Sequence, residues 1–531
     1  MVPQPTQLHA ALPPLHRVER VRDAEGKLTL LTALQAQMGW PREWAFVPVR
    51  WTGRRFVRLD EARAYVEQAH CQPFGDPVGE IGDPVRVSIP EQWFALPMPD
   101  QDGMTGLMCL LVYDELRAQT QQGARGARTL EEALAAALAA DPVDLRHAFV
   151  VLPSADPAAA TDEGLSLVLA SNAYPPGILD NSPGAETEPD RAGPADAALA
   201  RLVDYTRNDP EGQKVSLLLI NGNEIMADPT GGLSSPASRV DRYSTPYQQF
   251  KAGLIRHLPP TVERVLHLID DGEIVGGWEP VLNPRHPEHA EKGPYFDAAV
   301  RAAWAQRWEP AGRPAVDEHF WHCFQWRGAA FFIADTRTER EPRTVRTLET
   351  AHIMGQAQRL AIETWLDETR GMPRFLVGAA VLLPRKLAVT EHAAYALQSD
   401  GWDGYPASFN WLLGTLWDKR AGDVVMLSGG AHQSALLQLS MKRQDAPDDV
   451  LDDALQLKVV NSASLYAPWP FAQPGSAWFV ESDAFELSTP AGQVVQCAVT
   501  LQAQHAGDGF TAVRLRGGDL RLDFVPAQRC L

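Results

Sequence analysis

Asp270, Asp271 and Glu273 fall within four residues of one another directly after the apolar run VLHLI (265–269), and His432 follows a second apolar run, DVVMLSG (423–429). Carboxylate oxygens and imidazole nitrogens are the donors that hard or borderline divalent cations accept. If the two loops are neighbours, these four side chains could hold one metal ion. Acidic residues at a strand end also cap helices or accept backbone amides, and a lone histidine is often a hydrogen-bonded structural residue, so that reading stands beside the first. Asp228 sits in a Pro/Gly-rich turn, where Asp commonly bonds its own backbone. Asp335 and Arg337, in the run DTRTER (335–340), read either as a structural ion pair or turn anchor or as a contact for a phosphate-like anion, which guanidinium geometry suits. His319 with His322 and His286 with His289 have metal-compatible spacing but no matching carboxylate and cysteine set. Trp278, Trp402, Tyr405 and Trp469 read as packing residues. No GxxxxGK[ST] loop, GxSxG turn or HExxH helix occurs.

The elements that must position these residues are legible as short apolar runs. From about residue 148 they recur as AFVVLP, LSLVLA, VSLLLI, VLHLI, AAFFIAD, FLVGAAVLL and DVVMLSG, with helical or loop segments between, as buried strands of an α/β sheet would. Seven such runs predict one substantial sheet covered by helices. Residues 1–145 read as a small α+β module with no recognisable catalytic constellation; its clearest helix is TLEEALAAALAADP, which Thr129 can cap with Glu132 three residues on. Residues 146–471 form the α/β core. Residues 472–531 alternate as antiparallel strands with Gly turns and read as a β-rich extension.

Composition bounds the function. Of 531 residues, 45% are apolar and 22% charged, an ordinary globular balance, and no stretch reaches the roughly 20 apolar residues of a membrane helix. The net charge of −19 repels nucleic acid, and five scattered cysteines without a CxxC pair argue against structural zinc or a disulfide framework. With no export signal read at the N-terminus, a cytoplasmic protein is expected.

Four loops at strand ends carry a resemblance. NGNEIMADPTGGL (221–233) resembles the Gly-Asp-Gln-Ile-Tyr-x-Asp segment of PhoD-like metallophosphatases, DDGEIVGGWEP (270–280) their Asp-Asp-His-Glu-Ile-x-Asp-Asn-Trp, GAHQS (430–434) their Ser-Gly-Asp-Val-His, and SNAYPPGILD (171–180) a Ser-Cys-Gln-Tyr-Pro segment. DRYSTPYQQF, DTRTER, MGQAQRLAIETWL, SDGWDGYPA and SLYAPWPF follow in matching order, so the resemblance covers about 148–471. It implies a layered, calcineurin-like sheet core flanked by helices and a centre in which two metal ions activate water and stabilise phosphoryl charge.

This chain departs from that centre position by position. The Gly-Asp aspartate falls at Asn223, the cysteine at Asn172, the histidine at Gly272, the Asp-Asn pair at Gly276 and Gly277, the last-strand aspartate at Gly430 and the tyrosine at Met226, while His432 matches. The expectation is a pseudophosphatase that acts by binding a protein partner or by assembly, with no cofactor, its vestigial cleft formed by Asn172, Asn223, Asp228, Gly272, Asp335, Arg337 and Gly430. The alternative is a phosphomonoester or phosphodiester hydrolase with a reduced one-metal centre at Asp270, Asp271, Glu273 and His432.

Overall fold

The computed structural model describes, before residue 157, little more than strands. Beyond that it describes 164–173, 194–225, 264–274, 278–280, 319–386, 392–443, 454–466, 482–505 and 507–527, with isolated positions between. Asp228, Met226, Gly276, Gly277, His286, His289 and Trp469 lie outside the described residues. The chain divides into two units: residues 1–156 with 248–264 and 308–316, and residues 157–247, 265–307 and 317–531.

In the first unit, β1 (Leu15–Arg22), β2 (Leu28–Gln35) and β6 (Gln92–Pro97) make an antiparallel sheet. β4 (Phe56–Arg58), β3 (Glu43–Trp51), β7 (Gly106–Val112) and β8 (Ala148–Val151) make another, with β5 (Gln72–Pro73) on β3. The apolar run at 148–151 therefore pairs with β7 rather than joining the α/β core. Thr129 caps as its spacing predicts, its Oγ1 accepting the Glu132 N–H at 3.2 Å.

The second unit sorts the remaining apolar runs into two sheets, not one. The six-stranded sheet orders β11 (Arg264–Leu268), β10 (Leu217–Asn221), β9 (Leu165–Ala173), β21 (Gly509–Arg516) and β22 (Asp519–Pro526), with β18 (Ser464–Tyr466) also on β9. The eight-stranded sheet orders β12 (His322–Trp326), β13 (Ala329–Ala334), β14 (Arg374–Gly378), β15 (Val424–Ser428), β17 (Leu455–Asn461), β16 (Ser434–Arg443), β20 (Val494–His505) and β19 (Ser482–Ser488). β13, β14, β15 and β17 run parallel, as do β9 and β10. These central strands are covered on both faces, which is why β9, β10 and β13 are continuous apolar runs with every residue buried. The C-terminal strands are not a separate extension. They complete both sheets, β19 and β20 beside β16 and β21 and β22 beside β9, because an uncovered strand edge leaves a row of unpaired amides and carbonyls. Their alternating burial, clearest along β20, marks one solvated face.

The two sheets face each other. Trp326 Nε1 donates to Ser216 Oγ at 3.1 Å, and Ser462 Oγ to the Leu169 carbonyl at 3.3 Å. Helix α1 (Pro194–Asn208) packs on the six-stranded sheet through Tyr205, whose ring lies 5.3 Å from Phe510. Helices α2 (Gln356–Glu368) and α3 (Pro406–Asp418) cover the eight-stranded sheet, Trp365, Leu366, Leu412 and Leu416 packing against Phe332, Leu376 and Met426. Pro406 suits the first turn of α3, where its missing N–H costs no hydrogen bond. All the parallel strands end at one pole of this sandwich, so the loops after β9, β10, β13, β14, β15 and β17 converge there.

Candidate functional site

The loop after β10 is shaped by its backbone. Gly222 and Asn223 both take positive φ, 84° and 55°, and a Cβ on Gly222 would stand 2.8 Å from the Asp270 Cβ and 2.9 Å from the Ala379 Cβ. Only glycine fits this approach. Asn223 follows, 6% exposed, and its amide is fixed at both ends. The Gly272 N–H donates to Oδ1 at 2.7 Å, while Nδ2 donates to Asn172 Oδ1 at 2.9 Å and to Asp270 Oδ2 at 3.3 Å. Asn172, also at positive φ, closes the chain by donating to Ser171 Oγ.

Glu273 ties two loops together. Its carboxylate accepts backbone N–H groups of Asn223 (3.1 Å), Glu224, Ile225 (3.4 Å) and Asp270 (2.8 Å). Burial, and after it the charge of Asp270, raise its pKa to about 8 against the amides that favour the charged form. With both oxygens turned to backbone donors, Glu273 is a loop clamp and not a metal ligand.

Arg337, 0% exposed, is the hub of the site. Nε and Nη2 donate to Asp270 Oδ1, Nη1 to the Trp278 carbonyl (3.1 Å) and to Asp400 Oδ1 (2.8 Å), and Nη2 to Asp400 Oδ2 (2.7 Å). All five guanidinium N–H groups are thereby used, so the anion-contact reading of Arg337 does not hold. Arg340 adds bonds to Asp400 Oδ1 at 2.7 Å and to Glu279, and Arg343 pairs with the same Glu279. Burial works against ionised Asp400, but Arg337 and Arg340 outweigh it and hold its carboxyl far below the usual range. Burial raises the Asp270 carboxyl, and Arg337 opposes that rise. Asp335 makes no ion pair with Arg337. Its Oδ1 accepts the N–H groups of Arg337 and Thr338, so it anchors the turn after β13.

Of the four residues expected to hold one metal, the fold brings two into an acidic group and supplies a third that the sequence reading missed. Carboxylate oxygens of Asp270, Asp271 and Asp400 lie within 4.8 Å of one another. Glu273 and His432 are not in that group. His432 Nδ1 is engaged with Ser464 Oγ at 2.9 Å, and burial lowers its pKa while Asp271 raises it, which places the imidazole within electrostatic reach of the cluster. Gly430 has φ 68°, and a Cβ there would sit 3.8 Å from Asp270 Oδ2, so an aspartate at this position would face the cluster. Asp400 lies in the run SDGWDGYPA, and an acidic residue inside a conspicuous loop was the available signal. Trp278, Trp402 and Tyr405 are buried packing residues, Trp278 stacked 5.0 Å from Phe296. His319 stacks on Trp321, and His322 Nδ1 lies 3.3 Å from the Phe320 carbonyl; neither belongs to the acidic group.

A two-metal centre does not fit these residues. Asn223 turns an N–H donor, not an oxygen, toward Asp270, because its oxygen is claimed by Gly272. Gly272 and Gly430 contribute no side chain, and Asp270 and Asp400 already carry a guanidinium as counter-charge. A single cation would have to share or displace that guanidinium.

The layered sandwich with an acidic pole at its strand ends is a metallophosphatase-type fold. Residues 224–461 match the PhoD-like phosphatase family. The solved structure of PhoD superposes with a TM-score of 0.56 at 11% identity, covering 98% of this chain and 88% of the other. The family match thus rests on residues 224–461, and the superposition shows that the fold is shared. No curated protein matches it.

Proposed function

We propose that this protein is a pseudophosphatase, a PhoD-like scaffold that acts by binding or assembly rather than by hydrolysis. The observation that carries the reading is the pinned amide of Asn223, which presents a hydrogen-bond donor where a bridging carboxylate would be needed to hold two cations. The saturated Arg337 supports it, since no guanidinium N–H is left to receive a phosphoryl group. A protein partner suits this role better than nucleic acid, given the net charge of −19. A cytoplasmic setting agrees with the unpaired Cys323 and Cys497; among the described residues no helix is long and apolar enough to cross a membrane. The test is hydrolysis of a phosphodiester by purified protein supplied with Mn²⁺, Ca²⁺, Fe³⁺ or Zn²⁺. No turnover above background is expected. A metal-dependent rate abolished by His432→Ala overturns the reading.

One observation favours a second reading, a hydrolase with a single metal ion: the grouping of Asp270, Asp271 and Asp400. Elemental analysis of the untreated protein separates the two, since about one tightly held metal per chain is required by the second and not by the first.

A further inference from the structure

A hollow of about 670 Å³ lies in the second unit at the pole opposite the acidic cluster. It is lined at the first residues of β14 and β15, near the start of β17, and by the turn between β21 and β22. The acidic cluster belongs to the loops that leave the other ends of the same strands. One strand of five residues, at about 3.3 Å per residue, separates the two by roughly 15 Å. The hollow is thus a distinct site.

Its lining reverses the charge of the chain. Arg370, Arg374, Lys419, Arg420 and Lys458 face it against the single carboxylate of Asp423, in a protein whose net charge is −19. Three of these cations follow the C-terminal ends of α2 and α3, where positive charge offsets the helix dipole. Arg374 on β14 reaches the same end of α2, but neither helix end calls for Lys458 on β17, and both converge on the same concavity. Arg374 is held rigidly, by Nη1 to the Leu366 carbonyl at 2.6 Å and by two bonds to Asp423, and Lys419 pairs with Asp367 at 2.6 Å. Arg370, 68% exposed, is only loosely drawn to Asp367 at 3.9 Å, and the Lys458 side chain is exposed. The site therefore combines anchored cations with solvent-exposed ones. Met372, Pro373, Leu515 and Leu520 supply apolar wall beside the charge. A concave basic surface on an acidic protein focuses anions, and the volume lies in the range of small-molecule sites, about 300 to 1,000 Å³.

We propose that this hollow binds a phosphorylated molecule of nucleotide size, its phosphoryl groups on the cations and its organic body against the apolar wall. The inference stands apart from the question of hydrolysis at the other pole. The experiment is calorimetric titration of the full chain with ATP at low ionic strength, followed by competition with inorganic pyrophosphate. ATP is expected to bind, pyrophosphate to displace it, and the double variant Arg370→Glu/Lys458→Glu to weaken it at least tenfold with an unchanged melting temperature. His432→Ala, in the acidic pole, is expected to leave the affinity unchanged. Absence of ATP binding, failure of pyrophosphate to compete, affinity retained in the double variant, or affinity lost in His432→Ala overturns the proposal.

Discussion

Replacing Asn223 by aspartate tests the central geometric claim, that the amide turns its donor toward Asp270. In the native protein Nδ2 lies 3.3 Å from Asp270 Oδ2 and 2.9 Å from Asn172 Oδ1. In Asn223→Asp an anionic oxygen takes that place. Two unit charges at that separation repel by about 5 kcal/mol at an effective dielectric near 20, and the two lost hydrogen bonds add about 1 kcal/mol each. The chain escapes part of this by keeping a proton on one carboxyl. We therefore expect a loss of about 3 to 5 kcal/mol at pH 8, a large share of the 5 to 15 kcal/mol typical of folded proteins. The sign with pH follows from linkage. The new carboxyl has a raised pKa in the folded state, so the folded state binds the extra proton and stability present at low pH is lost as pH rises. Urea unfolding midpoints at pH 5 and pH 8 read this directly, with the variant close to wild type at pH 5 and well below it at pH 8. Because the variant would pair two carboxylates beside Asp271, millimolar Mn²⁺ should stabilise it more than it stabilises wild type. If Asn223→Asp is as stable as wild type at pH 8 without added metal, then no ionised carboxylate stands against position 223, and the argument against a cation at this pole fails.

Three further outcomes follow from the same contacts. Arg337→Met strands Asp270 and Asp400 without their shared counter-charge, and should cost about 3 to 5 kcal/mol in urea unfolding at neutral pH, shrinking as the carboxyls are protonated; a loss under 1 kcal/mol would show that solvent already screens the pair. Gly222→Ala places a methyl 2.8 Å from the Asp270 Cβ at a backbone φ of 84°, so a loss of about 1 to 3 kcal/mol is expected in thermal melts, and an unchanged melting temperature would mean the loop relaxes freely. Glu273, raised to about 8, makes the native state lose stability as pH rises from about 4.5 toward 8, by up to roughly 1.4 kcal/mol per pH unit; Glu273→Gln, neutral throughout, should flatten that slope in unfolding measured from pH 5 to pH 9, and a slope unaltered by the substitution would assign it to other groups.

Much of the scaffold was legible in the chain itself. Buried strands such as LSLVLA and AAFFIAD are continuous apolar runs because both faces are covered, and that signal is local. The Thr129 cap is equally local, a matter of spacing within one turn. What the runs could not say was which sheet each would join. The 148–151 strand went to the first unit and the C-terminal strands were shared between two sheets, because an apolar strand pairs with any edge of suitable register and the choice is made by the rest of the fold.

At the strand ends, residue identity by itself settled what is missing: Gly272 and Gly430 have no side chain wherever the loops lie, and an asparagine cannot carry the charge of a carboxylate. The tertiary structure alone decided what the remaining groups do. Glu273 is near Asp270 and Asp271 in sequence, yet its oxygens are consumed by the amides of a loop fifty residues away, whereas Asp400, remote in sequence, joins Asp270 across Arg337. Charge and hydrogen-bonding capacity are written in single residues. Whether a carboxylate meets a guanidinium, a backbone amide or open space depends on contacts between segments far apart in the chain, and those exist only once the two sheets have packed.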